Sequence, residues 1–285
     1  YSLSSTPHSE SLTVTVKEIE NGVFSSYANT QLKVGDVLEV GTPNGRFVYD
    51  PKTDAENTIV AFAAGSGITP IMSIARTVLE TNADSNIVLI YGNKSPKETI
   101  FYDEILTLQT LYNDRFKVKF VYSEADEKEA LFGRIDRGNV QYILKNNSIL
   151  NDSQKFYLCG PEGMINTVNT ILIEKGVEPS KILFELFTAS ATTSPITSAN
   201  EGDSNVTIIV DEEETTLVMS QQQTILEACL ANDLDVPYSC QGGVCSSCIC
   251  RVTEGAATMR QNSILTDSEV AEGLVLSCQA EPTSA

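Results

Sequence analysis

The sequence has few basic residues and no long apolar run. Lysine and arginine number 19 against 38 aspartates and glutamates, which leaves a formal net charge of −19. Nucleic acids and anionic membranes attract basic surfaces, so this balance argues against both as partners. The longest apolar stretches, such as residues 59–64, are far shorter than the roughly 20 residues of a membrane-spanning helix. We therefore expect no nucleic-acid partner and no transmembrane segment.

The acidic residues are concentrated towards the C-terminus. Residues 203–285 contain 13 acidic and 2 basic side chains, a net of −11. Such a surface is typical of a small electron carrier that is steered to a basic partner, although ordinary solubilising charge gives the same composition.

Residues 1–50 show the signals of antiparallel strands. Apolar side chains alternate along residues 11–19, and residues 37–40 form a second, short apolar run. Asn–Gly and Gly–Asp pairs between the two segments mark turns. The segment is too short for a closed barrel, so it predicts part of an antiparallel barrel.

The rest of the chain divides into two further domains and a linker. Residues 51–188 alternate buried strands with helices, which predicts an α/β doubly wound parallel sheet. Residues 189–203 are rich in Ser, Thr and Ala and predict a linker. In residues 204–285 two strands precede a helix with Thr224 as N-cap and Glu227 at the capping-box position, and a cysteine-rich loop follows.

Four of the seven cysteines lie within eleven residues, a poor framework for disulfides. Four residues separate Cys240 from Cys245, two separate Cys245 from Cys248, and Cys278 follows after 29 more. This is the plant-type 2Fe–2S spacing, in which three thiolates of one loop and a distant fourth surround two irons. Zinc is an alternative, although it usually takes cysteines as two separated pairs, and a redox dithiol at Cys245 and Cys248 is another. Such cysteine usage predicts a reducing compartment, the cytoplasm.

Two neighbouring cysteines have ordinary interpretations. Cys250 lies two residues beyond Cys248 and is expected to point the other way on an extended segment. Cys229 lies on the apolar face of the preceding helix, which predicts a small core side chain.

A glycine-rich turn between a buried strand and a helix predicts a dinucleotide site. Gly65 and Gly67 would let a pyrophosphate approach the backbone, and the N-terminus of the helix would offer N–H donors. Pro70 stands where the dehydrogenase fingerprint has a third glycine, and it suits the first turn of a helix. A plain tight turn is the alternative.

Residues at two other strand ends bear on the same site. The second strand ends without the carboxylate that would bind a ribose 2′-hydroxyl; Lys94, Ser95 and Lys97 lie there instead. They could bind a 2′-phosphate, so NADPH is predicted over NADH, with a solvated basic loop as the alternative. Cys159 follows a later strand on the same sheet edge, where it could face the nicotinamide or be a buried structural thiol.

These motifs occur together, and in this order, in a known family. They are Tyr1-Ser2-Leu3-Ser4, Gly22-x-x-Ser25, Gly65-Ser66-Gly67-Ile68-Thr69-Pro70, Cys159-Gly160-Pro161 and Glu185-Leu186-Phe187. The chain resembles the ferredoxin–NADP reductase superfamily with a plant-type ferredoxin fused at the C-terminus, and within it the reductases of phenylacetyl-CoA epoxidases and similar oxygenases. The resemblance implies a multidomain fold: a partial antiparallel β-barrel for the flavin, an α/β doubly wound parallel sheet for the nucleotide, and an α+β, β-grasp ferredoxin domain.

The resemblance also implies roles for the motif residues. The flavin, FAD, would be bordered by Tyr1, Ser2, Gly22, Ser25, Glu185 and Phe187. The nicotinamide dinucleotide would lie along Gly65, Gly67, Thr69, Gly160 and Pro161, with Lys94 and Ser95 at its ribose. The catalytic set would be Cys159, Glu185 and Ser2. The cluster ligands would be Cys240, Cys245, Cys248 and Cys278.

The implied function is electron transfer from NADPH through FAD to the 2Fe–2S cluster and on to an oxygenase. Phenylacetyl-CoA epoxidase, in phenylacetate catabolism, is the first partner expected; another ring-hydroxylating oxygenase or a hybrid-cluster protein is the alternative. A catalytically silent electron carrier is the alternative from another class. In the family, an Arg precedes the Tyr by two positions, more of the barrel lies upstream, and the ferredoxin domain continues into a last strand. We therefore expect the chain to be a piece of a longer protein.

Overall fold

The computed structural model of the chain describes residues 1–43, 45–51, 58–146, 153–187, 203–210, 213–238, 241–243, 246–262 and 264–283. The chain divides into two compact units, Tyr1–Thr42 with Phe47–Glu185, and Pro43–Arg46 with Leu186–Ala285. The predicted boundary between a flavin domain and a nucleotide domain at residue 50 falls inside the first unit and stays a prediction. The predicted linker lies outside the described residues except for Asp203, which begins a strand.

The centre of the first unit is a six-stranded sheet with the order β4-β3-β2-β1-β5-β6. Its strands are β1 (Thr58–Ala64), β2 (Asn86–Asn93), β3 (Phe116–Tyr122), β4 (Leu131–Phe132), β5 (Ser153–Gly160) and β6 (Ile182–Leu186). The pairs β1–β2, β1–β5, β2–β3 and β3–β4 are parallel. The chain builds the sheet outward from β1 on one side and then returns to β5 on the other, so the strand order reverses between β1 and β5. In such sheets, ligands bind outside the carboxyl ends of the strands at this reversal.

Helices connect the strands: α2 (Ile68–Thr81), α3 (Tyr102–Leu111), α4 (Arg137–Asn146) and α5 (Glu162–Glu174). The five central residues of β1 are all buried, as expected for an inner parallel strand covered on both faces. Ile59 and Ala63 of β1 pack in one core with Ile71 and Met72 of α2. This packing fixes the start of α2 against the carboxyl end of β1. The predicted doubly wound sheet is confirmed.

The first 50 residues differ from the sequence prediction in their local structure. Residues 11–19 and 37–40, all of which the structure describes, do not form the expected strands, and the antiparallel pairing described there is a single bridge between Leu3 and Val14. Val37 is 94% exposed, so it has no neighbouring layer to pack against. A strand requires a partner for its backbone groups, and alternation alone does not supply one. The helix α1 (Val23–Thr30) was not predicted.

The second unit combines short antiparallel strands with two helices. Its elements are β7 (Asp203–Val210), β8 (Glu213–Ser220), α6 (Ile225–Ala231), β9 (Ile249–Arg251), β10 (Ala257–Met259), α7 (Asp267–Ala271), β11 (Leu274–Leu276) and β12 (Ala280–Pro282). The antiparallel pairs are β7–β8, β9–β11 and β10–β12. The predicted capping box is present: the Glu227 N–H donates to Thr224 Oγ1 at 3.2 Å, and the Thr224 N–H donates to Glu227 Oε2 at 2.8 Å. Cys229 is buried in a core with Leu217 and Met219, as predicted.

Every helix within the described residues is too short or too polar to cross a bilayer.

Candidate cofactor and electron-transfer site

The glycine-rich turn after β1 lies directly against the end of β5, at the strand reversal. A Cβ atom added at Gly67 would lie 2.1 Å from the carbonyl oxygen of Cys159, so only glycine fits there. Gly65 has a φ of +54°, in the left-handed region that favours glycine. Gly160 comes close as well, since a Cβ atom there would lie 3.1 Å from the backbone nitrogen of Ala64. The sequence motifs around residues 65 and 159 therefore meet in space.

Side-chain hydrogen bonds hold the turn in this shape. The Tyr91 hydroxyl of β2 donates to the Gly65 carbonyl at 3.0 Å. Burial raises the pKa of Tyr91 well above its usual value, so the hydroxyl remains a donor. The hydroxyl of the buried Thr69 donates to the Ser66 carbonyl at 3.1 Å. Thr69, predicted to lie along the dinucleotide, thus contacts the turn itself. The turn is followed at once by the N-terminus of α2, whose free N–H groups favour an anion.

The three residues of the predicted catalytic set lie close together. The Ser2 hydroxyl donates to Glu185 Oε2 at 2.7 Å. Burial raises the pKa of Glu185, and the hydrogen bond from Ser2 partly offsets this shift. Cys159 is completely buried, and burial followed by the nearby Glu185 carboxylate raises the pKa of its thiol well above its usual value. The thiol therefore stays protonated, which excludes it as a thiolate nucleophile near neutral pH.

The other residues predicted at the flavin are placed as follows. Tyr1 is largely exposed, and its ring centroid lies 5.2 Å from that of Phe24. Gly22 is the N-cap of α1, and a Cβ atom there would lie 2.2 Å from the hydroxyl of Ser25. Gly22 and Ser25 are thus adjacent at one helix start, as a phosphate site requires. Phe187 follows β6 and is exposed.

Helix α2 also binds the N-terminal motif, which the sequence did not indicate. Ser73 donates its hydroxyl hydrogen to the Ser5 carbonyl at 2.6 Å, and the Arg76 guanidinium donates to the Ser4 carbonyl at 2.6 Å. Residues 73 and 76 share one helix face because they are three positions apart. That spacing is the one available sequence signal, and it does not say what the face contacts.

At the ends of β2 and β3, Lys94 faces a carboxylate that the sequence analysis missed. The Lys94 ammonium lies 3.8 Å from Glu124 Oε1, and the Glu124 N–H donates to the Lys94 carbonyl at 2.9 Å. Both side chains are more than half exposed, at 62% and 61%. The Ser95 hydroxyl is 3.4 Å from Glu98 Oε2. Lys94 and Ser95 thus lie at the sheet edge where the ribose was expected, but next to acidic groups.

Two of the four predicted cluster ligands lie together in the second unit. The sulfur atoms of Cys248 and Cys278 are 3.3 Å apart, and both residues are buried. Two soft thiol ligands at this separation fit a shared iron of an iron–sulfur centre. Cys240 and Cys245 lie outside the described residues, so the described part holds no set of three metal-ligating side chains.

The neighbouring loop is bound to Cys278 through Gln279. The Gln279 amide donates to the Gln241 carbonyl at 3.0 Å, immediately after the predicted ligand Cys240. Gly243 has a φ of +70°, which gives this loop its tight course. Cys250 lies on β9, where burial raises the pKa of its thiol to about 11, so it stays protonated at neutral pH.

Comparisons with known proteins bear on both units. Residues 62–170 match the family model of the oxidoreductase NAD-binding domain, and residues 208–283 match that of the 2Fe-2S iron-sulfur cluster binding domain. The 1,2-phenylacetyl-CoA epoxidase of Escherichia coli (strain K12) has a component that is 35% identical over 276 residues, covering 95% of this chain and 77% of that component. The chain belongs to the ferredoxin reductase superfamily.

Two further relatives of this reductase have the same arrangement. The ferredoxin reductase component of 3-ketosteroid-9-alpha-monooxygenase from Rhodococcus rhodochrous is 31% identical over 293 residues, covering 100% of this chain and 80% of that one. The solved structure of phthalate dioxygenase reductase, described as modular for electron transfer from pyridine nucleotides to [2Fe-2S], is 25% identical. It has a TM-score of 0.58 and covers 100% of this chain and 81% of its own. The reductase is an oxidoreductase and electron-transport flavoprotein with an NAD-binding and a 2Fe–2S domain, as the motifs predicted.

Proposed function

We propose that this reductase passes electrons from NADPH through FAD to its 2Fe–2S cluster, and from there to the oxygenase of a phenylacetyl-CoA epoxidase, in phenylacetate catabolism. The observation that carries the electron route is the meeting of Ser2, Glu185 and Cys159 beside the glycine turn. FAD, when bound, accepts two electrons together and releases them singly, as a one-electron cluster requires. The cytoplasm stays a prediction from the cysteine usage.

The chain's own residues would prepare this site in two ways. Ser2 holds the Glu185 carboxyl in one orientation, which places a polar group at the proposed flavin edge. Burial keeps the Cys159 thiol uncharged, so it does not compete with the coenzyme for electrophilic carbon. Tyr1, Gly22 and Ser25 would hold FAD, and the turn at Gly65 and Gly67 would hold the coenzyme.

The partner rests on the relation to the epoxidase component at 35% identity. The relation to the ketosteroid monooxygenase component, at 31%, makes a different oxygenase the second candidate. A stopped-flow series with either purified oxygenase tests this choice, because flavin reduction and acceptor reduction can be followed separately. Reduction of the epoxidase oxygenase should be the faster; a faster reaction with another oxygenase would reassign the partner.

The acidic C-terminal third predicts the salt dependence of that reaction. If the net charge of −11 over residues 203–285 steers docking, acceptor reduction should slow about ten- to a thousandfold from low to high salt. Flavin reduction by the bound coenzyme should change little, and it is the internal control. Acceptor reduction that stays flat or accelerates with salt would mean that apolar contacts recognise the partner.

For the coenzyme, Lys94 and Ser95 support NADPH over NADH. The Glu124 carboxylate offsets part of the Lys94 charge at 3.8 Å and would repel a 2′-phosphate. We therefore expect a modest preference for NADPH.

Two variants test this preference from opposite sides. Lys94→Glu should lower kcat/KM for NADPH at least tenfold more than for NADH, because a charge-assisted phosphate contact of about 1.5–3 kcal/mol is lost. Glu124→Gln should instead raise the NADPH preference, since it removes the repelling carboxylate. The measurement is the ratio of the two kcat/KM values in each variant. Equal losses with both coenzymes in Lys94→Glu would show that Lys94 is not at the ribose.

A further inference from the structure

A lysine from outside the nucleotide-binding segment stands over the glycine turn. A Cβ atom added at Gly65 would lie 3.8 Å from the Nζ atom of Lys17. The Lys17 ammonium has no ion-pair partner within 4.0 Å among the described residues. An uncompensated cation therefore stands above the backbone where the motif would receive a phosphate.

Defined contacts bring Lys17 to this place. The Ser4 N–H donates to the Thr13 carbonyl at 2.8 Å, and the hydroxyls of Ser4 and Thr15 are 3.0 Å apart. The Ser4 carbonyl in turn accepts the hydrogen bond from Arg76 of α2 at 2.6 Å. The segment that carries Lys17 is therefore bound, through the N-terminal motif, to the helix that begins at the glycine turn.

We propose that Lys17 binds the pyrophosphate of the nicotinamide dinucleotide. The proposal rests on the coenzyme site described under the proposed function. Lysine is a compact point charge that suits phosphate, and it would add to the N–H groups and the positive dipole end of α2. Lys17 lies outside residues 62–170, which match the NAD-binding domain, so that domain alone does not contain the complete phosphate site. In a chain of net charge −19, a cation at this point counters the general repulsion of an anionic ligand.

This role differs from that of Lys94 in what it recognises. NADPH, NADH and ADP-ribose share the pyrophosphate, whereas the 2′-phosphate occurs in NADPH alone. A change at Lys17 should therefore weaken all three ligands by a similar factor, and the ratio between the two coenzymes should stay constant.

The test is the affinity of ADP-ribose, measured by calorimetry on the purified holoprotein at low salt. Lys17→Gln should raise Kd about tenfold, which corresponds to 1.4 kcal/mol, and Lys17→Arg should restore most of the affinity because it keeps the charge. Lys33→Gln, which removes an exposed lysine of the same unit, is the matched control and should not change Kd.

An unchanged Kd in Lys17→Gln would overturn the proposal while the coenzyme site stands. Failure of the unaltered holoprotein to bind ADP-ribose would overturn the site itself and the role of Lys17 with it. Affinity lost equally in Lys17→Gln and Lys33→Gln would reduce the effect to general charge and also overturn the proposal.

Discussion

Replacing Cys248 or Cys278 with serine is expected to abolish the iron–sulfur absorbance of the purified protein. The two sulfur atoms are 3.3 Å apart in a buried environment, so each variant removes one thiolate of a shared site. A serine hydroxyl is a hard, weakly acidic ligand and does not replace a soft thiolate at iron. The spacing predicts the same loss for Cys240 and Cys245. Visible absorption and iron content per chain are the measurements.

The matched controls for this prediction are the neighbouring cysteines. Cys229→Ser and Cys250→Ser should keep the spectrum, because Cys229 is packed in a different core and the Cys250 thiol, with a pKa of about 11, stays protonated. Full iron content in a Cys278→Ala protein would contradict the assignment of Cys278 as a ligand. Loss of iron in Cys250→Ser would make Cys250 the ligand instead.

Gly67→Ala is expected to have the largest effect in the first unit. The new methyl group would lie 2.1 Å from the carbonyl oxygen and 2.4 Å from the carbonyl carbon of Cys159, and backbone atoms cannot rotate away as a side chain can. Overpacking of this kind costs about 1–3 kcal/mol or more, and we expect the upper part of that range. The separation of β1 and β5 should also weaken coenzyme binding. Urea denaturation and ADP-ribose affinity are the measurements.

Gly163→Ala is the control for the glycine prediction. Gly163 lies in the first turn of α5, and nothing lies within 4 Å of an added Cβ atom there. Alanine has the higher helix propensity, so this variant should be as stable as the unaltered protein or gain up to about 1 kcal/mol. Equal unfolding free energies for the two variants would refute the close contact between the turn and Cys159.

The parts of the fold that the sequence predicted well are those with local causes. The buried runs of β1, β2, β3 and β5 indicate inner parallel strands because both faces are covered and polar residues have no place there. The helix after Thr224 was predicted from its first four residues, because Thr224 and Glu227 satisfy each other's backbone N–H groups. Such signals need no information from distant parts of the chain.

The parts that the sequence missed depend on distant partners. Residues 11–19 alternate like a strand, yet the described pairing at that end is the single bridge Leu3–Val14. In the site, Glu124 faces Lys94 because β2 and β3 are neighbours, and Lys17 reaches Gly65 through the contacts of Ser4. Neither proximity has a sequence pattern, because each joins residues that are more than 25 positions apart.

The central claim, that electrons pass from the nicotinamide coenzyme through FAD to the cluster of the same chain, is tested most directly by anaerobic titration. NADPH or NADH is added to the purified holoprotein with FAD present, and the reduced cluster is followed by electron paramagnetic resonance while flavin absorbance is recorded. We expect flavin bleaching followed by a reduced-cluster signal that grows with added coenzyme, and no signal in Cys278→Ser. A cluster that dithionite reduces but that stays silent with both coenzymes would contradict the account and favour a carrier that does not itself turn over the coenzyme.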